Sequence, residues 1–182
     1  MEIVLIANIL IIVLEIMGFS NSFSRGIKVL IFYTQLSNII TMISSVCFII
    51  NRYAVFTTIL RYLSTVMLTM TVLITVFVLV PSGAGFKNMM LSDNGLFHHT
   101  LCPAISITSY ILWEQHSRMW GIPVAVTAVY GIVLLYLNYI EKVDGPYPFF
   151  RVHNMKAAVT AAWMVALIVL ITGLSWGITL IR

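Results

Sequence analysis

Residues 28–51, KVLIFYTQLSNIITMISSVCFIIN, combine the length of a membrane-spanning helix with a regular polar pattern. A spanning helix needs about 20 largely apolar residues, and this segment is long enough. Its hydroxyl and amide side chains recur every three or four residues, which places them on one helical face. These residues are Thr34, Ser37, Asn38, Thr41 and Ser45. Because lipid offers no hydrogen bonds to such a polar stripe, the pattern predicts a helix that lines the interior of a membrane bundle.

The whole chain has the composition of an integral membrane protein. Of its 182 residues, 60% are hydrophobic and only 9% are charged. A soluble domain averages about 45–50% apolar and about 25% charged residues. Six apolar spans are expected, at residues 2–20, 28–51, 60–82, 93–113, 119–140 and 157–181. The prediction is an all-α polytopic membrane protein, in which residues 1–182 form a single domain, a compact bundle of six transmembrane helices.

Six spans would place both termini on one side of the membrane, which we name face A. The loops after the first, third and fifth spans would then lie on the opposite side, face B. The basic residues of face B are Arg25, Lys28, Lys87, Lys142, Arg151 and Lys156, and those of face A are Arg52, Arg61, Arg118 and Arg182. The positive-inside rule narrowly favours a cytoplasmic face B. The charges form no basic run, so we expect no nucleic-acid partner.

Two adjacent histidines open the fourth span, in the segment Asn94–Pro103, NGLFHHTLCP. An ionisable side chain in the bilayer indicates a functional site, because its burial is costly. His99 lies on the more polar helical face, with Ser106 and Tyr110. We therefore predict that His99 faces the interior, with His98 as the alternative.

Three polar side chains are expected at one depth below face B. Thr34 and His99 each lie six residues into their spans, about 9 Å deep at 1.5 Å per residue. Glu15 lies four or five residues from the face-B end of the first span, about 7 Å deep. This coincidence predicts a polar pocket that opens towards face B. The proline-broken aromatic segment 144–151 is placed to cover it.

A hydroxyl beside a histidine suggests acyl transfer. The histidine would take the proton of Thr34 as its oxygen attacks an acyl carbon, and Glu15 would orient the imidazole. Asn38, one turn deeper, could donate an amide N–H to the oxyanion. Glu15 is equally consistent with a buried carboxyl that only specifies helix packing. Zinc sites in proteins need three or four ligands, and the two histidines have no cysteine or carboxylate at a spacing that would complete such a site. We therefore expect no metal and no cofactor.

A non-enzymatic function is the alternative prediction. The protein would then be a membrane carrier or a lipid-binding protein. Glu15 and the histidines would form a proton relay or bind the solute. The polar stripe continues past the membrane midplane to Ser45, as a carrier would require.

Three short motifs resemble one known family. The segments Tyr33–Asn38 (YTQLSN), His99–Pro103 (HTLCP) and Tyr147–Phe150 (YPFF) are similar to those of the androgen-induced and androgen-dependent TFPI-regulating protein family, including its bacterial relatives. The resemblance covers nearly the whole chain. It implies a multi-pass membrane hydrolase of fatty-acid esters of hydroxy fatty acids, with an intramembrane threonine nucleophile and a histidine.

The family pattern carries the threonine over to Thr34. For the histidine, counting back from Pro103 as in the bacterial pattern selects His99, whereas counting forward from Asn94 as in the vertebrate pattern selects His98. The resemblance further implies a bacterial cytoplasmic membrane, with a lipid substrate and bilayer lipids as the partners.

Overall fold

The computed structural model describes residues 2–24 and 26–181, and all regular structure in this part of the chain is helical. Arg25 and Arg182, which were assigned to faces B and A, lie outside the described residues. The α-helices are α1 (Glu2–Phe23), α2 (Tyr33–Asn51), α3 (Val55–Ile74), α4 (Asp93–Gly95), α5 (Cys102–Trp113), α6 (Gly121–Tyr139) and α7 (Ala157–Thr179). A π-helical stretch, Thr75–Ala84, extends α3 and is kinked at Gly83, whose φ of 103° is not helical. Another, Leu96–Leu101, joins α4 to α5.

Five helices are long and apolar enough to span a membrane, and they indicate a membrane protein. They are Glu2–Phe23, Tyr33–Asn51, Val55–Ala84, Gly121–Tyr139 and Ala157–Thr179. The predicted fourth span, residues 93–113, is helical but divided into α4, a π-turn and α5. The N–H of Cys102 bonds to the carbonyl of Phe97, five residues back, just before Pro103. A proline in a helix removes one N–H donor, and here the interruption falls beside it.

Two helices begin at positions that differ from the prediction. A 3₁₀ turn, Ile27–Ile31, and the extended residue Phe32 precede α2, so Thr34 lies in the first turn of that helix. Gly26 adopts a φ of 90°, a left-handed conformation that glycine allows without strain. At the other end of the bundle, α3 begins at Val55 rather than residue 60, and Arg61 therefore lies more than one turn into the helix instead of at its start.

The helix α2 packs between α1 and α3, and α5 packs against the same two helices. On the far side, α6 and α7 pack against each other and against α3. The polar stripe of α2 is turned inward, as its spacing predicts, and all five of its members are buried. Ser37 bonds to Thr71 across the interface between α2 and α3.

A buried ion pair joins four helices near face A. Arg61 donates to Glu114 through Nε and Nη2, at 2.7 and 2.8 Å, and both side chains are almost wholly buried. The other terminal nitrogen of the guanidinium, Nη1, lies 3.2–3.4 Å from the hydroxyls of Ser44, Ser45 and Ser106. Asn8 and Ser109 also donate to Glu114. Ser45, the last member of the α2 stripe, and its neighbour Ser44 therefore help to solvate an arginine.

Removing one member of this pair should destabilise the protein severely. Arg61→Met leaves the Glu114 carboxylate buried without its partner, so we expect the free energy of unfolding to fall by about 3–5 kcal/mol. Reversible unfolding in mixed detergent micelles measures it. Arg118→Met, at an exposed arginine of the same face, should change little. The double variant Arg61→Met with Glu114→Met should recover much of the lost free energy of unfolding. Equal stability of Arg61→Met and the wild-type protein would contradict the assignment of Arg61 and Glu114 as a buried ion pair.

Candidate functional site

A cavity of about 950 Å³ lies at the face-B end of the bundle. Thr34 and His99, the two residues that the sequence selected for acyl transfer, both line it. Residues 144–151, which we call the aromatic loop, contribute Pro146, Tyr147 and Pro148 to its wall. The wall also contains the polar residues Ser22, Gln35 and Asn94 and the charged residues Lys28 and Arg151. The structure thus brings a threonine, a histidine and the aromatic loop to one cavity.

Thr34 occupies the first turn of α2, where backbone N–H groups have no acceptor within the helix. Its own N–H donates to the Tyr147 hydroxyl at 3.5 Å. No hydrogen bond in the described part of the chain joins Thr34 to His98 or His99. A bound molecule in the cavity would touch Thr34 and His99 from a common side.

His99 is held by Thr75. The two side chains meet through Nδ1 and Oγ1 at 3.0 Å. Each belongs to a π-helical stretch, Thr75 to the first turn beyond α3 and His99 to Leu96–Leu101. When Nδ1 carries the proton and donates it to Thr75, Nε2 is left as an acceptor. His99 then has one nitrogen anchored and the other free to act as a base.

His98 points to a different place from His99. It is buried between α1 and α2, where Nδ1 lies 3.3 Å from Gln35 Nε2 and the ring meets Phe19 edge-on. Its Nε2 lies 3.8 Å from the carboxylate of Glu15. The cavity wall contains His99 but not His98. Both adjacent histidines therefore face the interior, one towards the cavity and one towards α1.

Of the two predicted supporting residues, Glu15 lies beside the alternative histidine, His98, rather than His99, and the amide N–H groups of Asn38 are bound to backbone carbonyls. The Glu15 carboxylate faces His98 and receives no hydrogen bond from the described N–H and O–H groups, although the Cys102 thiol lies beside it. Asn38 donates to the backbone carbonyls of Thr34 and His98, at 2.7 and 3.3 Å. Its amide hydrogens thus tie α2 to the π-turn, which holds the two walls of the cavity together.

The aromatic loop is a packed part of the bundle rather than a loose rim. Tyr147, Phe149 and Phe150 are buried, and the rings of Tyr147 and Phe149 stack with centroids 5.3 Å apart. Gly145 allows the backbone of Phe150 to approach so closely that a Cβ there would overlap it. Burial raises the pKa of Tyr147 above its usual value, so its hydroxyl keeps its proton at neutral pH.

Three contributors to the site were missed in the sequence. Gln35 bonds to Ser22 and contacts His98, and thereby links the cavity wall to the buried Glu15. Thr75 was one of several threonines of the third span to which no chemistry was assigned. Tyr147 could have been singled out from the Tyr-Pro-Phe-Phe motif, but a tyrosine at a membrane surface is an ordinary anchor.

The position of His98 depends on Gly18 of α1. A Cβ added there would overlap the imidazole ring of His98. Gly18→Ala should therefore displace the histidine and lower the free energy of unfolding by about 1–3 kcal/mol. Gly177→Ala, on α7 with no atom within 4 Å of the added Cβ, should be neutral or slightly stabilising. Reversible unfolding in mixed detergent micelles measures the free energy of unfolding of both variants. Equal values for Gly18→Ala and Gly177→Ala would contradict the close packing of Gly18 against His98.

Thr34, His99 and Tyr147 thus line one cavity, while Glu15 and His98 are buried behind it. Comparison with known proteins found no family model that matches the chain, and no curated protein or solved structure with significant similarity to it.

Proposed function

We propose that the protein is a membrane-embedded hydrolase of lipid esters, built as a bundle of six spans. Residues 93–113 would form the fourth span despite their π-turn. Thr34 is the nucleophile and His99 the general base. The observation that carries this proposal is that Thr34 and His99 line one cavity, with the Tyr147 hydroxyl at the backbone N–H of Thr34. Thr34 and His99 share no hydrogen bond among the described residues, and contacts between catalytic partners often tighten only around a substrate.

The reaction would proceed in two halves. His99 Nε2 takes the proton of the Thr34 hydroxyl while Oγ1 bonds to the ester carbonyl carbon. The tetrahedral intermediate collapses as the alkoxide leaves, and His99 returns the proton to that alcohol. Water from the face-B cavity then attacks the acyl-threonine, with His99 again accepting a proton and passing it to Thr34 as the ester bond breaks. The products are a carboxylic acid and an alcohol.

Two further groups have roles in this scheme. Thr75 is a positioning residue, because its contact with Nδ1 orients the ring and leaves Nε2 as the nitrogen that accepts a proton. Tyr147 donates a hydrogen bond from its hydroxyl to the oxyanion that forms on the substrate carbonyl, and it keeps its proton throughout. A donor placed where negative charge develops stabilises the transition state more than the ground state.

The substrate class and location follow from the family resemblance. Fatty-acid esters of hydroxy fatty acids, or similar acyl lipids, suit a site inside a bundle of apolar helices. The resemblance to bacterial relatives suggests a bacterial cytoplasmic membrane. Bilayer lipids would be the remaining partners.

The Arg61–Glu114 pair favours a hydrolase over a carrier. A carrier needs a polar path that continues to face A. Ser45, the stripe member nearest face A, instead contacts Arg61, whose guanidinium is bound to Glu114. A solute would have to break a buried ion pair to pass, at a cost of several kcal/mol.

Thr34→Ala should abolish turnover of a lipid ester in detergent, and His99→Ala should lower it by about 10²–10⁴-fold. An active-site-directed fluorophosphonate, which reacts with activated hydroxyl nucleophiles, should also label Thr34. The label should be lost in Thr34→Ala. Full activity in either variant would rule out the mechanism.

Matched control variants distinguish the loss of a catalytic group from the loss of the folded structure. Thr69→Ala removes a hydroxyl that bonds within α3, and His153→Ala removes an exposed histidine, so both should stay active. His98→Ala should retain turnover within about tenfold of wild type in protein that remains folded. Loss of turnover in His98→Ala with retention in His99→Ala would transfer the role of base to His98.

Tyr147→Phe should lower kcat by about 10²–10³-fold, the usual effect of deleting one oxyanion donor. The ring packing survives because only the hydroxyl is removed. Tyr139→Phe, at an exposed tyrosine, is the control. Steady-state hydrolysis separates kcat from KM, and a rise in KM with an unchanged kcat would instead indicate a role in ground-state binding.

A further inference from the structure

A second cavity, of about 240 Å³, lies between α3, α6 and α7. Its wall is almost entirely apolar and includes Met70, Ile74, Leu135 and Met164. Thr34, Leu79 and Tyr147 line both this cavity and the larger one at face B. The proposed nucleophile therefore stands at the junction between a polar chamber and an apolar one.

The hydroxyl groups in this wall are already bonded to protein. Tyr33 bonds to Thr127 at 2.7 Å, and Tyr130 donates to the carbonyl of Ile31 at the same distance. Thr71 contacts Ser37 at 3.1 Å. With these groups engaged, the cavity offers few polar partners to water. Apolar cavities of this kind stay dry and bind hydrocarbon, as an engineered cavity of about 150 Å³ binds benzene.

The cavity also has an outer side. Ile132 of α6 and Ile168 of α7 line it and are 66% and 37% exposed at the surface of the bundle. In a bilayer this surface would meet lipid tails. A hydrocarbon chain could enter between α6 and α7 without crossing a polar layer.

From this arrangement we infer that the apolar cavity binds the acyl chain of the substrate. The inference rests on the proposed function, because it takes Thr34 to be the group that attacks the acyl carbon. A carbonyl at the junction would lie beside Thr34 and Tyr147. Its hydrocarbon chain would extend between α3, α6 and α7, while the alcohol half would lie in the polar cavity with His99. The site thus selects an ester by its acyl chain.

Gly131 provides a direct test, because it lines the cavity and a Cβ built on it has no atom within 4 Å. Gly131→Phe should fill the space. Gly173→Phe, on the exposed side of α7 with equally open surroundings, is the matched control. Gly131→Leu gives a smaller filling in case the phenylalanine disturbs folding.

Binding of radiolabelled palmitic acid should be measured in a Thr34→Ala background, so that no hydrolysis is needed. We expect saturable binding that Gly131→Phe weakens at least about tenfold, equivalent to 1.4 kcal/mol. Gly131→Leu should weaken it less, and Gly173→Phe should leave it unchanged. Absence of saturable binding, or equal affinity in Gly131→Phe and its background, would overturn the inference. Palmitate binding with this pattern, but no ester hydrolysis by the wild-type protein, would refute the proposed function alone.

Discussion

A lipid bilayer offers polar side chains no hydrogen bonds, so each one inside the bundle must find its partner in the protein. The two ends of this bundle meet that requirement differently. Near face A, Arg61 and Glu114 are surrounded by hydroxyl and amide groups that bond to them. Buried side-chain polar atoms without a hydrogen-bond partner occur at both ends among the described residues, and Asn8 Oδ1 and His116 Nδ1 are those near face A. More of them lie near face B: both Glu15 carboxylate oxygens, Gln35 Oε1, Asn38 Oδ1, Asn94 Oδ1 and His98 Nε2.

This contrast divides one continuous stripe into two parts with different roles. Ser44 and Ser45 help to solvate a buried arginine, and their contribution is structural. Thr34 and Asn38, on the same helix, border the cavity and the buried Glu15–His98 pair. Unsatisfied polar atoms are costly in a membrane protein, so their larger number near face B marks that end as the one suited to bind water or a ligand. The candidate site lies at that end.

The helical spacing of single segments could be predicted from the sequence, whereas contacts between segments could not. Periodicity alone placed the α2 stripe inside and put His99 on an interior face. The pairing of Arg61 with Glu114 joins residues 53 positions apart and depends on α3 starting at Val55. Glu15 meets His98 because Gly18 leaves room for the imidazole and because the π-turn directs both histidines inward. A π-turn changes which residues share a helical face, and the regular spacing of polar residues in the sequence does not reveal where such a turn occurs.

The late start of α2 strengthens the case for Thr34 as a nucleophile. The first-turn N–H groups of a helix are unpaired, and the helix dipole places partial positive charge there. An alkoxide on Thr34, or an oxyanion beside it, would lie in that field. A helix that began at residue 28 would instead have placed Thr34 almost two turns in, where backbone N–H groups are already bonded. The extended residue Phe32 thus leaves the Thr34 N–H free to meet the Tyr147 hydroxyl, which helps to position the donor that hydrolysis would require.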